Sequence, residues 1–266
     1  MPDTPGSLAR RAATAACLTL IVAARTYAQS PAPPAPAPDF LTRYDFHLAA
    51  NLLAIDDPRF SWDARIGGDL DLVDYVAGRA SVLADYQVIL GDQLRSFDPN
   101  QSYYVLEASS SLRAPGVEIA GVFHHVSRHL GDRDKVFPLA WNVGGARALR
   151  RFEVVGASLD VYGGAGLVVG HVNVDYSWTA DLDLTIRRAI TSRVEGFALG
   201  HGEVFGVDGS RNRGTQIGGR VEAGVRFNGR GGALELFAGF ERRIDADPLD
   251  FLAQRWAIAG FRLVSR

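Results

Sequence analysis

From Val172 to Arg187 the chain alternates without a break. Val172, Val174, Tyr176, Trp178, Ala180, Leu182, Leu184 and Ile186 occupy the even positions, and Asn173, Asp175, Ser177, Thr179, Asp181, Asp183, Thr185 and Arg187 the odd ones. An α-helix would scatter these residues around its circumference. A β-strand puts them on two opposite faces, so the period of two assigns strand. Phe60 to Leu72 and Gln216 to Phe227 repeat the pattern, and weaker versions occur at Tyr44 to Ala54, Val82 to Leu90, Tyr104 to Leu112, Ser158 to Val169 and Leu234 to Arg242.

Extending this reading gives about 12 strands, at 43–54, 59–73, 78–90, 102–113, 116–129, 139–149, 153–169, 172–188, 193–206, 214–227, 232–243 and 254–264. An even number suits closure into an antiparallel transmembrane β-barrel. Short turns are expected at Arg113 to Gly116, Leu149 to Phe152, Ala189 to Ser192 and Asn228 to Gly231, and longer loops at Gly91 to Gln101, Leu130 to Pro138, Val207 to Arg213 and Ile244 to Ala253. Short and long connections thus fall at opposite ends of the strands, as in outer-membrane barrels, although the connections around Asp56 and Gly170 look short for their end. A soluble sandwich also alternates. Three features favour the membrane: an export signal, polar rows mixing acids and bases as in a wet lumen, and Trp62, Trp178, Tyr44 and Trp256 at apolar or near-end positions suited to interfacial girdles.

The export signal lies in residues 1–28: Arg10 and Arg11, the apolar stretch Ala12 to Ala24, then Thr26-Tyr27-Ala28 as a cleavage tripeptide. At 13 residues that stretch is too short for a transmembrane helix. Cleavage removes Cys17, the only cysteine, so the mature chain is stabilised without disulfides. Residues 29–42 read as a linker, because the Pro/Ala run Pro31 to Pro38 favours an extended polyproline conformation, and 43–266 form the barrel domain. With 28 basic and 30 acidic residues and no basic run, nucleic acid is excluded as a partner. The expected location is the outer membrane, with its lipid as the first partner. Gly260, Phe261 and Leu263 in the last strand are similar to the C-terminal strands of outer-membrane proteins, which implies the barrel-assembly machinery as a second partner.

Chemistry concentrates in His124-His125-Val126-Ser127-Arg128-His129-Leu130-Gly131-Asp132, which holds three of the six histidines. On an extended strand residues two apart sit about 6.6 Å from each other on one face, so His125, Ser127 and His129 line up while His124 and Arg128 point the other way. Val117, Ile119, Gly121 and Phe123 share the parity of His125, which places the His/Ser row on the apolar, lipid side. A histidine can take a serine hydroxyl's proton as the oxygen attacks an ester carbonyl and return it to the leaving group. Ser127 is the candidate nucleophile, His125 the candidate base and His129 the alternative base.

The segment His125-Val126-Ser127 resembles the His-x-Ser strand motif of outer-membrane phospholipase A and of lipid A 3-O-deacylases. The run from His125 to Asp132 more closely resembles the His-x-Ser-Ser-His-Leu-Gly-Asp signature of an uncharacterised bacterial domain-of-unknown-function family. The first resemblance implies a lipid-facing acyl hydrolase with an Asn on the next strand orienting the histidine. Asn142 is the counterpart available, but its facing is open: Arg147 favours an outward Asn142, whereas Trp141 and Val143 favour the reverse. The enzymes usually follow the serine with Asn, and Arg128 stands here. Asp132 is a second orienter or a cation ligand, and calcium enters only under the hydrolase reading.

Three functions therefore fit the sequence. The first is an outer-membrane barrel with a charge-lined interior and no chemistry, serving structure, passage or surface contact. The second is an outer-leaflet lipid acyl-ester hydrolase using Ser127 and His125, of phospholipase or lipid A deacylase type. The third is a soluble periplasmic all-β binding protein. Other apparent motifs read as structure: Gly163 to Gly166 as close backbone packing, and His201 between two glycines as relief of crowding.

Overall fold

The computed structural model describes residues 34–131 and 138–265. The proposed signal segment and Asp132 lie outside them. Twelve strands follow one another: β1 (Asp39–Ala54), β2 (Trp62–Asp74), β3 (Arg79–Gly91), β4 (Asp98–Ala114), β5 (Val117–Leu130), β6 (Leu139–Val154), β7 (Ala157–Val172), β8 (Tyr176–Ala189), β9 (Val194–Val207), β10 (Gln216–Asn228), β11 (Gly232–Arg243) and β12 (Gln254–Ser265). Each pairs antiparallel with its neighbours in sequence. β1 closes the ring on β12 from His47↔Val264 to Ala54↔Ala257, so no sheet edge is left open.

Among the described residues, the connections 55–61, 92–97, 173–175, 208–215 and 244–253 gather at one end, most of them long, and the short turns 75–78, 115–116, 155–156, 190–193 and 229–231 at the other. The connection around Asp56 is longer than expected, while 173–175 remains short. β1 begins at Asp39, inside the expected linker. Asp39 and Phe40 pair with Asp74 and Val73, and Leu41, at φ 53°, forms the bulge that lets the strand resume at Arg43.

The turn expected at Leu149 to Phe152 is instead strand, and β6 continues to Val154. The hairpin closes through Val155 and Gly156 at φ 49° and 74°, the paired positive values of a two-residue hairpin turn. The stretch 149–152 has no glycine to supply that geometry. The glycine run in β7 packs as expected: a Cβ on Gly166 would lie 2.5 Å from Val143 Cγ1 and 2.8 Å from the Gly144 carbonyl oxygen.

The outer wall carries an apolar band that includes Leu106, Leu112, Ile119, Phe123, Leu167 and Phe240, all at least half exposed to the surroundings. The inner wall is charged and cross-linked. Arg147 of β6 forks onto Glu107 of β4, Arg262 of β12 reaches Glu222 of β10, and Arg243 of β11 crosses to Asp63 of β2 at 2.5 Å. Each carboxylate meets a guanidinium that replaces the water it has lost, the condition for keeping ions in a confined interior.

The long-loop end departs from this polar-inside rule. Val126, Trp141, Val143, Val174, Tyr176, Phe205 and Ile244 form one buried cluster there, and Leu53, Phe60, Ile89, Trp256 and Ile258 belong to a second. They surround the loop 244–253, which folds back into the mouth. Asp245 accepts from Arg213 (2.6 and 2.9 Å) and from the Tyr176 hydroxyl (2.5 Å), Arg128 donates to its carbonyl (2.5 Å), and Gln101 donates to the Ala246 carbonyl (2.7 Å). Two sequence expectations change as a result. Trp256 is not interfacial but buried against Phe60, with ring centroids 5.3 Å apart. The alternation begun at Val172 breaks at 173–175, and a bulge between Tyr176 and Trp178 turns Tyr176 inward.

Candidate functional site on the outer wall

β5 carries the histidine cluster in its second half, approaching the long-loop end. Its parity is as expected: Glu118, Ala120, His124, Val126 and Arg128 are buried toward the lumen, while Ile119, Gly121 and Phe123 are exposed on the outer wall. His125, Ser127 and His129 continue that outer row, half-buried among neighbouring side chains.

The structure places Asn142 on the same outer face and directly beside His125 in the β5/β6 register. His125 Nδ1 and Asn142 Oδ1 are 2.8 Å apart. An amide oxygen only accepts, so Nδ1 carries the proton and Nε2 keeps its lone pair. That is the tautomer a general base requires. Trp141 and Val143 flank Asn142 but turn inward, into the apolar cluster under the loop 244–253. Parity conflicts in the sequence here because the lumen lining is apolar at this end and charged lower down, at Arg147.

Ser127 Oγ lies 2.5 Å from His129 Nε2. The hydroxyl donates to this nitrogen when His129 is neutral with its proton on Nδ1. The alternative base is thus the histidine that holds the serine, and the first-named base is the one held by Asn142. Tyr104 of β4 faces Ser127 in the β4/β5 register, and its ring meets that of His129 edge-on at 5.3 Å between centroids. Tyr86 of β3 stacks obliquely on Tyr104 at 4.9 Å. This aromatic pair packs beside the site and fixes the imidazole plane of His129. The alternation put Tyr104 on the outer row, but cross-strand register is not readable from one sequence, so its place beside Ser127 was missed.

Arg128, where the resembling enzymes carry Asn, is on the opposite face of the strand. Its guanidinium bonds the Tyr103 hydroxyl and the Asp245 carbonyl, holding the mouth loop. His124 also points inward, 3.9 Å from Glu107. His201 has a partner that the sequence reading did not give it: it is fully buried with Nδ1 2.5 Å from Asp183 Oδ1. Among the described residues no group of three acidic, His or Cys side chains is placed to hold a metal ion.

No protein-family model matches this chain, and no curated protein does. Among solved structures, LpxR from Salmonella typhimurium superposes with a TM-score of 0.50 at 7% identity, over 83% of this chain and 99% of that chain. Outer membrane phospholipase A from Escherichia coli gives a TM-score of 0.49 at 12% identity, over 83% and 89%. At such identities the likeness to LpxR is one of fold alone: the chain is an all-β, closed, 12-stranded antiparallel barrel.

Proposed function

We propose that this chain is an integral outer-membrane barrel that hydrolyses acyl esters of outer-leaflet lipid through Ser127. The observation that carries the reading is the pair of hydrogen bonds on the outer wall, Ser127 to His129 and His125 to Asn142. The export signal expected in residues 1–28 and the apolar outer band support the location. With the N-terminal end of β1 in the periplasm, the long loops and the site lie toward the outer leaflet.

In this mechanism Ser127 Oγ attacks the ester carbonyl carbon as its proton passes to an imidazole Nε2. The tetrahedral adduct collapses, and the imidazolium returns the proton to the departing alcohol oxygen. Water, deprotonated by the same imidazole, then cleaves the acyl-serine and regenerates the hydroxyl. His129 is the base that already holds the hydroxyl. His125, on the other side of the serine in the same outer row, is the base in the correct tautomer.

The test is release of fatty acid from phospholipid and from lipid A by the detergent-refolded chain, with and without calcium. Ser127→Ala is expected to remove turnover. Replacing the base, by His129→Gln or His125→Gln, should lower kcat by about 10²- to 10⁴-fold, and the larger loss identifies it. A folded wild type with no turnover on either lipid would return the chain to the reading of a barrel without chemistry.

A further inference from the structure

The lumen is asymmetric. Toward the long loops it is filled by the apolar clusters, the folded-in loop and a belt of ion pairs and hydrogen bonds that reaches across it, with Arg220 of β10 donating to Asn51 of β1 at 3.2 Å and Arg243 of β11 to Asp63 of β2 at 2.5 Å. Toward the short turns it opens into a cavity of about 920 Å³, bounded by the start of β1, the ends of β8 and β10 and the turns 190–193 and 229–231. Seven arginines and four carboxylates line it.

The carboxylates are already engaged. Arg43 holds Asp69 at 3.2 Å and also pairs with Asp45, while Glu235 is shared by Arg226 (2.8 Å) and Arg262 (2.7 Å). Asp160, just behind the lining, serves both Arg151 (2.6 Å) and Arg187 (3.3 Å). Glu195 lies 3.9 Å from Arg226. What remains is positive charge. Arg187 keeps a buried Nε with no hydrogen-bond partner, and the side chains of Arg193 and Arg230, on the two bounding turns, make no ion pair among the described residues. Like charges gathered against a low-dielectric wall raise the local potential and draw in an anion. Guanidinium groups present planar pairs of N–H donors, which match the oxygens of a phosphoryl group better than a point charge would.

We propose that this vestibule binds a phosphoryl-bearing anion, with Arg187 at its inner side and Arg193 and Arg230 at its rim. The bound group comes either from a soluble periplasmic solute or from the headgroup of an inner-leaflet phospholipid at the rim. The belt beyond the cavity makes it a binding terminus and not a passage. This inference is independent of the serine site, which lies on the other side of the barrel wall.

The test is isothermal titration calorimetry on the full chain, refolded in a non-ionic, phosphate-free detergent buffer, with sodium pyrophosphate in one arm and monomeric dihexanoyl-phosphatidylglycerol in the other. Saturable one-to-one binding in either arm is expected, and the arm that binds identifies the source. Arg193→Gln and Arg230→Gln alter exposed turn residues and leave the wall intact. Together they should weaken binding at least tenfold, Arg187→Gln should weaken it further, and raising the salt from 50 to 300 mM should weaken the wild type through screening. Heat-modifiable gel mobility verifies that each variant is folded. No saturable binding in either arm, undiminished binding by the folded Arg193→Gln/Arg230→Gln double variant, or citrate bound as tightly as pyrophosphate would overturn the proposal.

Discussion

His125 shows how much one side chain's surroundings decide. Its hydrogen bond from Nδ1 to Asn142 leaves Nε2 as the basic nitrogen, pointing away from the orienting strand. Replacing Asn142 with Ala removes this constraint while leaving Ser127 and His129 in place. If His125 is the working base, kcat should fall about 10²-fold, the cost of misplacing a catalytic group by an ångström, with KM nearly unchanged. If His129 alone serves, Asn142→Ala should be close to wild type. A comparison of kcat and KM for Asn142→Ala and Tyr104→Ala separates the two, because Asn142 holds His125 whereas the Tyr104 ring packs on His129. Of these residues, the sequence made His125, Ser127 and His129 legible through parity alone. Asn142 was legible as a residue type but not as a facing, and Tyr104 required the strand register.

At the scale of elements, strand identity was readable because each strand buries one row and exposes the other. Ends were less so. The β6/β7 turn fell five residues beyond the expected 150–151 region because Val155 accepts a left-handed backbone beside Gly156, a choice not encoded by turn-rich composition. The loop 244–253 was expected only as a long connection. Its buried Ile244, Asp245, Ala246 and Asp247 are hidden in the sequence because an inward-folded loop has no periodicity. Arg213 holds it through Asp175 and Asp245, which raise the guanidinium's pKa well above its ordinary value. Arg213→Ala strands both buried carboxylates, at a local cost of about 3–5 kcal/mol. Hydrogen exchange of 244–253 should accelerate in this variant while the β-strand amides stay protected.

The same loop is tied from the other side by Arg59, which bonds Asp57, Asp247 (3.0 Å) and Asp250 (2.5 Å). Its donated bonds hold the Asp57 carboxyl below the usual carboxylate range. A depressed carboxylate stabilises the folded loop above its unfolded pKa, and that contribution is lost as pH falls through the depressed value. Protease sensitivity of the 55–61 and 244–253 loops should therefore be flat around neutrality and rise only on acidification below the ordinary Asp range. Loops that loosen between pH 8 and 6 would contradict this.

The molecule as a whole separates two environments with one wall. Outward residues make an apolar surface that ends in the Ser127 row, and inward residues make a lumen bridged by ions, closed above by a loop and open below. Such an interior predicts a barrel that requires detergent for extraction, migrates heat-modifiably and conducts poorly in planar bilayers. Steady pore conductance from the wild type would show that the belt from Arg220 to Asn51 and from Arg243 to Asp63 does not close the lumen.

The central claim is that Ser127 is an activated nucleophile on a lipid-facing wall, and trapping tests it most directly. The refolded barrel is incubated with a long-chain alkyl fluorophosphonate and read by intact-mass and peptide mass spectrometry. The account predicts one phosphonyl adduct, located on the peptide containing Ser127 and abolished by Ser127→Ala or by prior unfolding. A folded barrel that acquires no adduct, or acquires one equally well after Ser127→Ala, would contradict it.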